Sequence, residues 1–437
     1  MLSKLMGIMD YLKDPQLVAS IQRFFGVKIY YNRHKDTFQE EEKKYTKIDD
    51  NEDSYISTCH SEKINDCDVN QRLNVCTKQI NSLEQRTTET TNKETLIVSN
   101  NPNYTITNLF WYYTFVFGTE LGDEIFYSTF IPFMFWNIDG AVGQRVVLVW
   151  GIIMTIGQIL KDVIRWPRPA CPPVVRLQDK WSQEYGMPST HAMVGLTIPF
   201  SVVLFTMDKY IYPFSVGCII ASLWCTIVST SRLYLGMHTV LDIVAGLALA
   251  IVLMIPLVPL VDITSSYIIT NFWLVAMLIA ISIAITIYYP SSYKWTPTRS
   301  DTAMVVSVTV GIYAGTWLNY YTGLLRTPQV LPPFHIGWPT YSMLSHLIIR
   351  TVLGFSGVIV TKIFCKSFSY IIICSILQIN WRELMKCLDY NSNQNKVFVD
   401  LVYKYLFCFM LGVNTVYLFP QVFNIIGIGR PAFYMEV

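Results

Sequence analysis

KDVIRWPRP at residues 161–169, GMPSTHAM at 186–193 and SRLYLGMHTVLD at 231–242 are the three blocks around which this sequence is organised. Each block lies at the end of a long apolar run. Together they supply three cations, a hydroxyl, two imidazoles and a carboxylate: Lys161, Arg168, Arg232, Ser189, His191, His238 and Asp242. Side chains of these types can bind a phosphate group and cleave its ester without a metal ion.

The chemistry of phosphoryl transfer explains why these residue types are needed. A phosphate monoester carries close to two negative charges, and fixed cations aimed at its oxygens lower the barrier to transfer. An arginine offers a planar fork and a lysine a point charge. One imidazole can attack phosphorus and form a phospho-enzyme, and the other can protonate the departing alkoxide.

Spacing within the blocks predicts local geometry. His238 and Asp242 are four residues apart, so on a helix they share a face, and the carboxylate can hold one ring nitrogen. Lys161 and Arg168 also share a face if a helix persists between them. The two prolines of the first block are expected to end that helix.

In the form K-x6-RP, PS-x-H and SR-x5-H-x3-D, the blocks resemble the signature of the type 2 phosphatidic acid phosphatase superfamily. The combination is far more specific than any one block. The flanking text resembles one branch, the sphingosine-1-phosphate phosphatases, in which PSTH is usual. Thr190 departs from the many superfamily members that have glycine there. TELGDEIFY at 119–127 and TRSDTA at 298–303 also resemble that branch, and the likeness extends from about Phe110 to the C-terminus.

The residue types and the resemblance together suggest a catalytic or phosphate-binding role for each candidate residue of the three blocks. His238 is the expected nucleophile, oriented by Asp242. His191 is the expected general acid for the leaving alkoxide and then the base that activates water. The remaining groups are expected to hold the phosphoryl oxygens: Lys161, Arg168, Ser189, Thr190 and Arg232. No metal ion or cofactor is expected, because the cations supply the neutralising charge.

Composition places most of the chain in a membrane. Of 437 residues, 52% are hydrophobic and 14% aromatic. The first 100 residues hold 14 Lys/Arg and 16 Asp/Glu, whereas the remaining 337 hold 19 and 15. A soluble globular protein averages roughly a quarter charged residues. The net charge of +2 gives no reason to expect nucleic acid as a partner. The ten cysteines form no C-x-x-C pair, so neither a disulfide framework nor a zinc site is supported.

The fold class predicted is all-α: a polytopic membrane bundle with a superfamily-like core of about six helices and further C-terminal spans. About eight to ten spans are expected, because most apolar runs approach the roughly 20 residues needed to cross a bilayer. The runs are Leu109 to Trp136, Val146 to Leu160, Val194 to Met207, Ile211 to Thr230, Ile243 to Val261, Tyr267 to Tyr289, Ala303 to Leu325, Met343 to Thr361, a shorter one at Phe368 to Ile379, and Tyr405 to Ile428. Asp262 and Asp301 are interpreted as loop charges.

Three regions are predicted along the chain. Residues 1–103 form a polar, largely disordered region able to start with a short amphipathic helix. That start is either a helix lying on the membrane or a frayed terminus. Residues 104–262 form the catalytic membrane core, and residues 263–437 the additional spans.

The order of blocks and runs places all three blocks on one membrane face. The first block ends one span and the second begins the next. The chain then crosses twice, and the third block joins the following pair of spans. Which face this is depends on Leu109 to Trp136, which carries Glu120, Asp123 and Glu124 in its middle. With a cytosolic N-terminus, two crossings there put the blocks in the lumen and one crossing puts them in the cytosol. The resemblance implies a lumenal site in the endoplasmic reticulum membrane.

The sequence therefore predicts a membrane phosphatase of sphingoid base phosphates. The residues alone support only a phosphomonoester, and the substrate class comes from the resemblance. Two alternatives stay open: a related phosphatase acting on another lipid, a polyprenyl or a sugar phosphate, and a non-catalytic lipid-binding protein. The expected partners are the phosphorylated lipid and the bilayer, and the sequence does not predict an oligomeric state.

Overall fold

The structure, a computed structural model, describes residues 2–30, 103–178, 180–290, 296–326, 332–386, 393–430 and 432–435. Residues 31–102, most of the region predicted to be largely disordered, lie outside this part of the chain. The described chain is helical, apart from two short two-stranded sheets. The predicted all-α membrane fold is thus confirmed.

The N-terminal part of the described chain contains four helices and one strand pair. Strands β1 and β2 pair with each other. They come from either side of residues 31–102, which the structure does not describe. Helix α2 begins where Asp14 accepts a hydrogen bond from the Gln16 backbone N–H and Pro15 occupies the first turn. These elements are α1 (Leu2–Leu12), α2 (Pro15–Phe24), β1 (Val27–Tyr30), β2 (Asn103–Ile106), α3 (Leu109–Glu120) and α4 (Glu124–Asn137).

The three blocks lie where the next four helices begin and end. Helix α5 ends because Arg165 adopts a left-handed conformation, with φ of 55°, just before Pro167. The prediction that this helix stops at the prolines is confirmed, and Arg168 therefore lies in a loop rather than on the face of Lys161. These helices are α5 (Gly140–Ile164), α6 (Thr190–Thr206), α7 (Phe214–Tyr234) and α8 (Val240–Thr270), with strand β3 (Tyr210–Ile211) between α6 and α7.

The C-terminal part of the described chain adds further long helices. They are α9 (Phe272–Ile287), α10 (Thr298–Tyr321), α11 (Tyr341–Ile376), α12 (Trp381–Lys386), α13 (Gln394–Val413) and α14 (Phe419–Ile426), with strand β4 (Phe334–His335) pairing with β3. A π-helical turn, Asn414–Leu418, joins α13 to α14. Two apolar runs were expected as separate segments, Met343 to Thr361 and Phe368 to Ile379. The first run and all but the last three residues of the second belong to the single 36-residue helix α11.

Nine helical segments of the described chain run alternately between two ends of the bundle: α4 to α11 and the continuous α13–α14. We call the end at which α5 and α7 finish the upper end. By length and composition, five of the nine are able to cross a membrane, namely α5, α7, α8, α11 and α13–α14. Helices α6 and α9 are apolar but shorter.

Aromatic and aliphatic packing holds the bundle together. Trp136 is buried, donates from Nε1 to the Thr415 carbonyl at 2.9 Å, and meets Phe419 edge to face. Gly354 of α11 permits this approach, since a Cβ there would lie 2.3 Å from the Trp136 ring. These contacts join α4, α11 and the end of α13–α14 at the lower end of the bundle.

Helix α3 lies at the upper end and does not cross. Its 12 residues extend about 18 Å, too short for a hydrocarbon core of about 30 Å. Phe115 packs against Tyr234, with ring centroids 4.8 Å apart, and Thr119 accepts a hydrogen bond from Arg232. The polar bend of the first apolar run therefore separates α3, which packs at the upper end, from α4, whose last turns reach Trp136 at the lower end.

The interpretation of Asp262 and Asp301 as loop charges was wrong. Asp262 lies within α8 and forms an ion pair with Arg145, with Oδ1 and Nε 3.0 Å apart. Asp301 lies in the first turn of α10. Both helices extend beyond the apolar run from which they were inferred, so charges at the edges of a run became part of a helix.

Candidate active site

Direct contacts at the upper end join the three blocks. Lys161, in the last turn of α5, donates to the Thr190 hydroxyl at 3.2 Å. Arg168 donates to the Met237 carbonyl at 2.7 Å, and the Ser189 backbone N–H donates to the Asp242 carbonyl at 3.1 Å. The predicted same-face arrangement of the blocks is confirmed by these contacts.

Helix α8 packs closely against the second block because Gly246 has no side chain. A Cβ at Gly246 would lie 2.7 Å from the Ser189 carbonyl oxygen, a distance that real Cβ atoms do not show. Ser189 is the N-cap residue of α6, and its buried hydroxyl has no hydrogen-bond partner in the described chain. The hydroxyl is therefore free to donate to a bound phosphoryl oxygen.

Arg232 presents unused donors in the interior. Its side chain is fully buried in the last turn of α7, where Nη1 donates to Thr119 and to Gln178. Nε and Nη2 have no hydrogen-bond partner among the described residues. A buried guanidinium with unsatisfied N–H groups is costly unless a ligand completes it, and an anion with several oxygens would do so.

Glu184 connects two of the cations, although no motif or spacing in the sequence marks it as a site residue. Its carboxylate accepts from Lys161 Nζ at 2.7 Å and lies 4.0 Å from Arg168 Nη2. Its backbone carbonyl accepts from Arg168 Nε at 2.8 Å. Burial lowers the pKa of the Arg168 guanidinium to about 10, so this side chain stays cationic at neutral pH. The signal available was its place in EYGMPSTHAM, the flanking text that carries the resemblance.

The expected helical pairing of His238 with Asp242 was wrong in its geometry. His238 lies before α8, whose N-cap is Thr239, so the two residues do not share a helix face. Nδ1 of His238 is 3.8 Å from Asp242 Oδ2, which accepts from the Thr239 backbone N–H at 2.7 Å. Thr239 and Asp242 form a capping box. In this motif Oδ2 of Asp242 accepts from the Thr239 backbone and not from the imidazole, which was its expected partner.

The imidazole and the carboxylate nevertheless lie side by side, and each keeps one atom without a partner. Asp242 Oδ1 and His238 Nδ1 are both buried and have no hydrogen-bond partner in the part of the chain described. Burial, and then the charges of Arg168, Arg232, Lys161 and His191, hold the pKa of His238 well below its ordinary value. His238 is therefore a neutral imidazole at neutral pH, as a nucleophile must be.

His191 lies at the mouth of a cavity of about 570 Å³ that leads away from the site. Its Nε2 has no partner in the described chain, and its ring meets Trp181 edge to face at 6.4 Å. Gly122 permits the α3–α4 turn to approach this imidazole, since a Cβ there would lie 3.0 Å from His191 Cδ2. The cavity walls are mostly apolar and come from α4, α5, α10, α11 and α13.

The arrangement suits phosphoryl transfer to an imidazole beside an apolar chain. Of the proposed site residues, Thr190 and His191 line an apolar cavity of a size typical of ligand sites. Lys161 contacts Thr190 from outside the cavity wall. No group of three or more His, Cys, Asp or Glu side chains able to hold a metal occurs among the described residues.

Comparisons with known proteins give a family for this arrangement. A family model described as the PAP2 superfamily matches residues 144–266, which contain all three blocks. Sphingosine-1-phosphate phosphatase 1 of Mus musculus is 36% identical over 324 residues, covering 74% of each chain. Sphingosine-1-phosphate phosphatase 2 of Homo sapiens is 33% identical over 335 residues, 74% of this chain and 80% of its own. Lipid phosphate phosphatase delta of Arabidopsis thaliana is 29% identical over 213 residues, covering 45% and 49%. No solved structure matches.

Proposed function

Since the chain belongs to the sphingosine-1-phosphate phosphatases of the PAP2 superfamily, we propose that it hydrolyses sphingoid base phosphates at the upper end of the bundle. The products are the free base and inorganic phosphate. The observation that carries the proposal is the junction of two features: a buried set of cations and imidazoles, and an apolar cavity that begins at His191.

The phosphate binds first. Lys161, Arg168 and Arg232 neutralise its charge, and the unpartnered donors of Arg232 and Ser189 contact its oxygens. The backbone N–H at the start of α6, near Thr190, adds a donor. The lipid chain lies in the apolar cavity, which fixes the phosphorus relative to the imidazoles.

Phosphoryl transfer to His238 follows. Asp242 accepts a hydrogen bond from the Nδ1–H of His238 and so leaves Nε2 free to attack phosphorus. An N–P bond forms while the P–O bond to the lipid breaks. His191 takes up a proton in the substrate complex, where the negative charge of the bound phosphate favours the imidazolium, and gives this proton to the departing alkoxide. Water, deprotonated by His191, then attacks the phosphohistidine, and inorganic phosphate leaves with His238 restored.

The proposal includes a location. The resemblance implies the endoplasmic reticulum membrane with the site facing the lumen. Because α3 stays at the upper end and α4 crosses once, a lumenal site requires that α1 and α2 also face the lumen. The premise of a cytosolic N-terminus is therefore abandoned in this proposal.

Phosphate release by the purified protein tests the proposed function. A panel of sphingosine 1-phosphate, phosphatidic acid, a polyprenyl phosphate and glucose 6-phosphate is assayed with and without excess EDTA, with His238→Ala as the inactive control. Release is expected to be fastest from sphingosine 1-phosphate and to persist in EDTA. Faster release from another substrate, or a loss on chelation that magnesium restores, would contradict the proposal.

A further inference from the structure

The cavity beside His191 carries a carboxylate that the hydrolysis mechanism does not use. Six charged side chains line its wall: Asp123, Glu124, Glu184, Asp301, Lys362 and Lys404. Most of the wall is apolar, so each of these charges needs a partner or contact with solvent.

Three of the four carboxylates already have cationic partners. Asp123 and Glu124 lie 2.9 Å and 3.4 Å from Lys180 Nζ. Glu184 accepts from Lys161 at 2.7 Å. Asp301 differs: among the described residues, none lies within ion-pair distance of its carboxylate or donates a hydrogen bond to it. Its side chain is half-buried and faces the cavity.

Asp301 lies at the depth of the phosphate site. The next residue of α10, Thr302, donates from its hydroxyl to Gln158 Oε1. Gln158 also lines the cavity and precedes Lys161 by one turn of α5. Lys161 in turn contacts Thr190, the neighbour of His191. Asp301 thus lines the same cavity as His191, and its neighbour Thr302 is connected through Gln158 and α5 to the phosphate site.

The chemistry of a sphingoid base phosphate supplies a cation at this depth. The phosphate is on the first carbon of the base, and an ammonium group is on the second. When the alkoxide oxygen lies at His191, the ammonium nitrogen is three bonds away from it. A carboxylate there would form a charge-assisted hydrogen bond with it.

We propose that Asp301 binds the ammonium group of the substrate and so selects amino lipid phosphates over phosphates of plain alcohols. This inference rests on the proposed function. Asp301 is a specificity residue here and takes no part in the bond changes at phosphorus.

Lys404, on α13, is the competing cation. It lines the same cavity, and the described chain offers it no carboxylate within ion-pair distance. If Asp301 served only to neutralise Lys404, removal of either charge would have the same effect on every substrate. Substitution of each residue separately distinguishes the two roles.

The experiment compares two substrates that differ in the amino group and its neighbouring hydroxyl and double bond: sphingosine 1-phosphate and octadecyl phosphate. Dihydrosphingosine 1-phosphate, which lacks the double bond, is a third arm. We measure kcat/KM for the parent protein, Asp301→Asn and Lys404→Gln in detergent. Asp301→Asn is expected to lose about 10- to 100-fold on both amino substrates, the range of a hydrogen bond to a charged group. On octadecyl phosphate it should stay within about threefold, which shows that the variant is folded.

Results that overturn the role of Asp301 differ from the result that contradicts the proposed phosphatase function. Equal losses by Asp301→Asn on all three substrates, no loss at all, or the same selective loss in Lys404→Gln would overturn the role of Asp301. A parent that releases phosphate equally well from octadecyl phosphate and the amino substrates would also overturn it, while the phosphatase assignment stands. A parent that hydrolyses none of them contradicts the proposed function itself.

Discussion

At the scale of single residues, the buried imidazole of His238 makes stability depend on pH. The pKa of His238 is lowered in the folded protein, chiefly by burial and then by the neighbouring cations. The unfolded chain therefore takes up a proton below its ordinary pKa of about 6.5, and the folded protein does not. The contribution of the neutral imidazole to stability is present above that pH and is lost as pH falls through it.

We therefore expect the parent to lose stability between pH 7.5 and 5.5 by about 1 kcal/mol more than His238→Asn, which cannot titrate. Apparent melting temperatures in detergent at the two pH values measure this difference. A pH response of the same size in both proteins would show that His238 is not held neutral.

The site residues show what spacing alone can and cannot predict. All eight proposed site residues were selected from the blocks, because phosphate chemistry requires cations, a hydroxyl and imidazoles. The pairing of His238 with Asp242 was misjudged because Thr239, between them, begins a helix and captures the carboxylate in a capping box. Glu184 was missed and Asp301 was interpreted as a loop charge, because an isolated acidic residue has no spacing pattern that predicts its role. Only the tertiary structure shows which groups each of them faces.

At the scale of elements, α2 forms hydrogen bonds to two parts of the site: the loop that contains Arg168 and Glu184, and the end of α7. The fully buried Gln22 donates from Nε2 to the carbonyls of Val175 and Tyr234, at 2.7 Å and 2.8 Å. Its Oε1 accepts from the Val175 backbone N–H at 3.0 Å. One side chain thus satisfies three backbone groups on two elements of the site.

Gln22→Ala leaves those groups unsatisfied, at about 1–3 kcal/mol for each that stays buried. We expect a lower apparent melting temperature and at least a tenfold fall in phosphate release, because the loop no longer holds Arg168 against Met237. Gln16→Ala is the matched control on the exposed face of the same helix and should behave like the parent. If Gln22→Ala were indistinguishable from that control, α2 would have no part in positioning the loop.

The composition of α2 could not reveal this role. Gln22 lies among mostly apolar residues and one arginine, a composition that is equally compatible with a helix on a membrane surface. The partners of Gln22 are backbone groups more than 150 residues away, and no residue type in the sequence marks them.

At the scale of the whole molecule, the alternation of nine segments puts the two termini of the described chain at opposite ends of the bundle. Phe25, just after α2, packs against Trp111 and Tyr234 at the upper end. At the other terminus, Arg430 donates to the carbonyl of Ile138, which follows α4 at the lower end. With the site in the lumen, the N-terminus is lumenal and the C-terminus cytosolic.

Topology in sealed microsomes tests this arrangement. A tag at the N-terminus should be protected from added protease, whereas a tag at the C-terminus should be digested, which also controls for intact vesicles. Asn103-Tyr104-Thr105 is a glycosylation sequon and lies too few residues before α3 for the chain to cross between them. It is then lumenal and should carry a glycan that Asn103→Gln abolishes. An accessible N-terminal tag and no glycan would place the site in the cytosol.

The sequence predicted the helical membrane fold and the common face of the blocks, because apolar runs and block order determine both. It left open the number of crossings before Lys161. The decision depends on Phe115 and Thr119, which attach α3 to the upper end. Their contacts are with residues of α7, more than 100 positions away, and hydropathy contains no information on them.

The central claim is that His238 receives the phosphoryl group of a sphingoid base phosphate, and rapid-quench trapping tests it most directly. The parent protein and His238→Ala are each mixed with sphingosine 1-phosphate labelled with ³²P, quenched in base, and analysed for protein-bound label. We predict label on the parent that is stable in base and lost in acid, as expected of phosphohistidine, and none on His238→Ala. Equal labelling of His238→Ala, or a parent that turns over substrate with no bound label, would contradict the account.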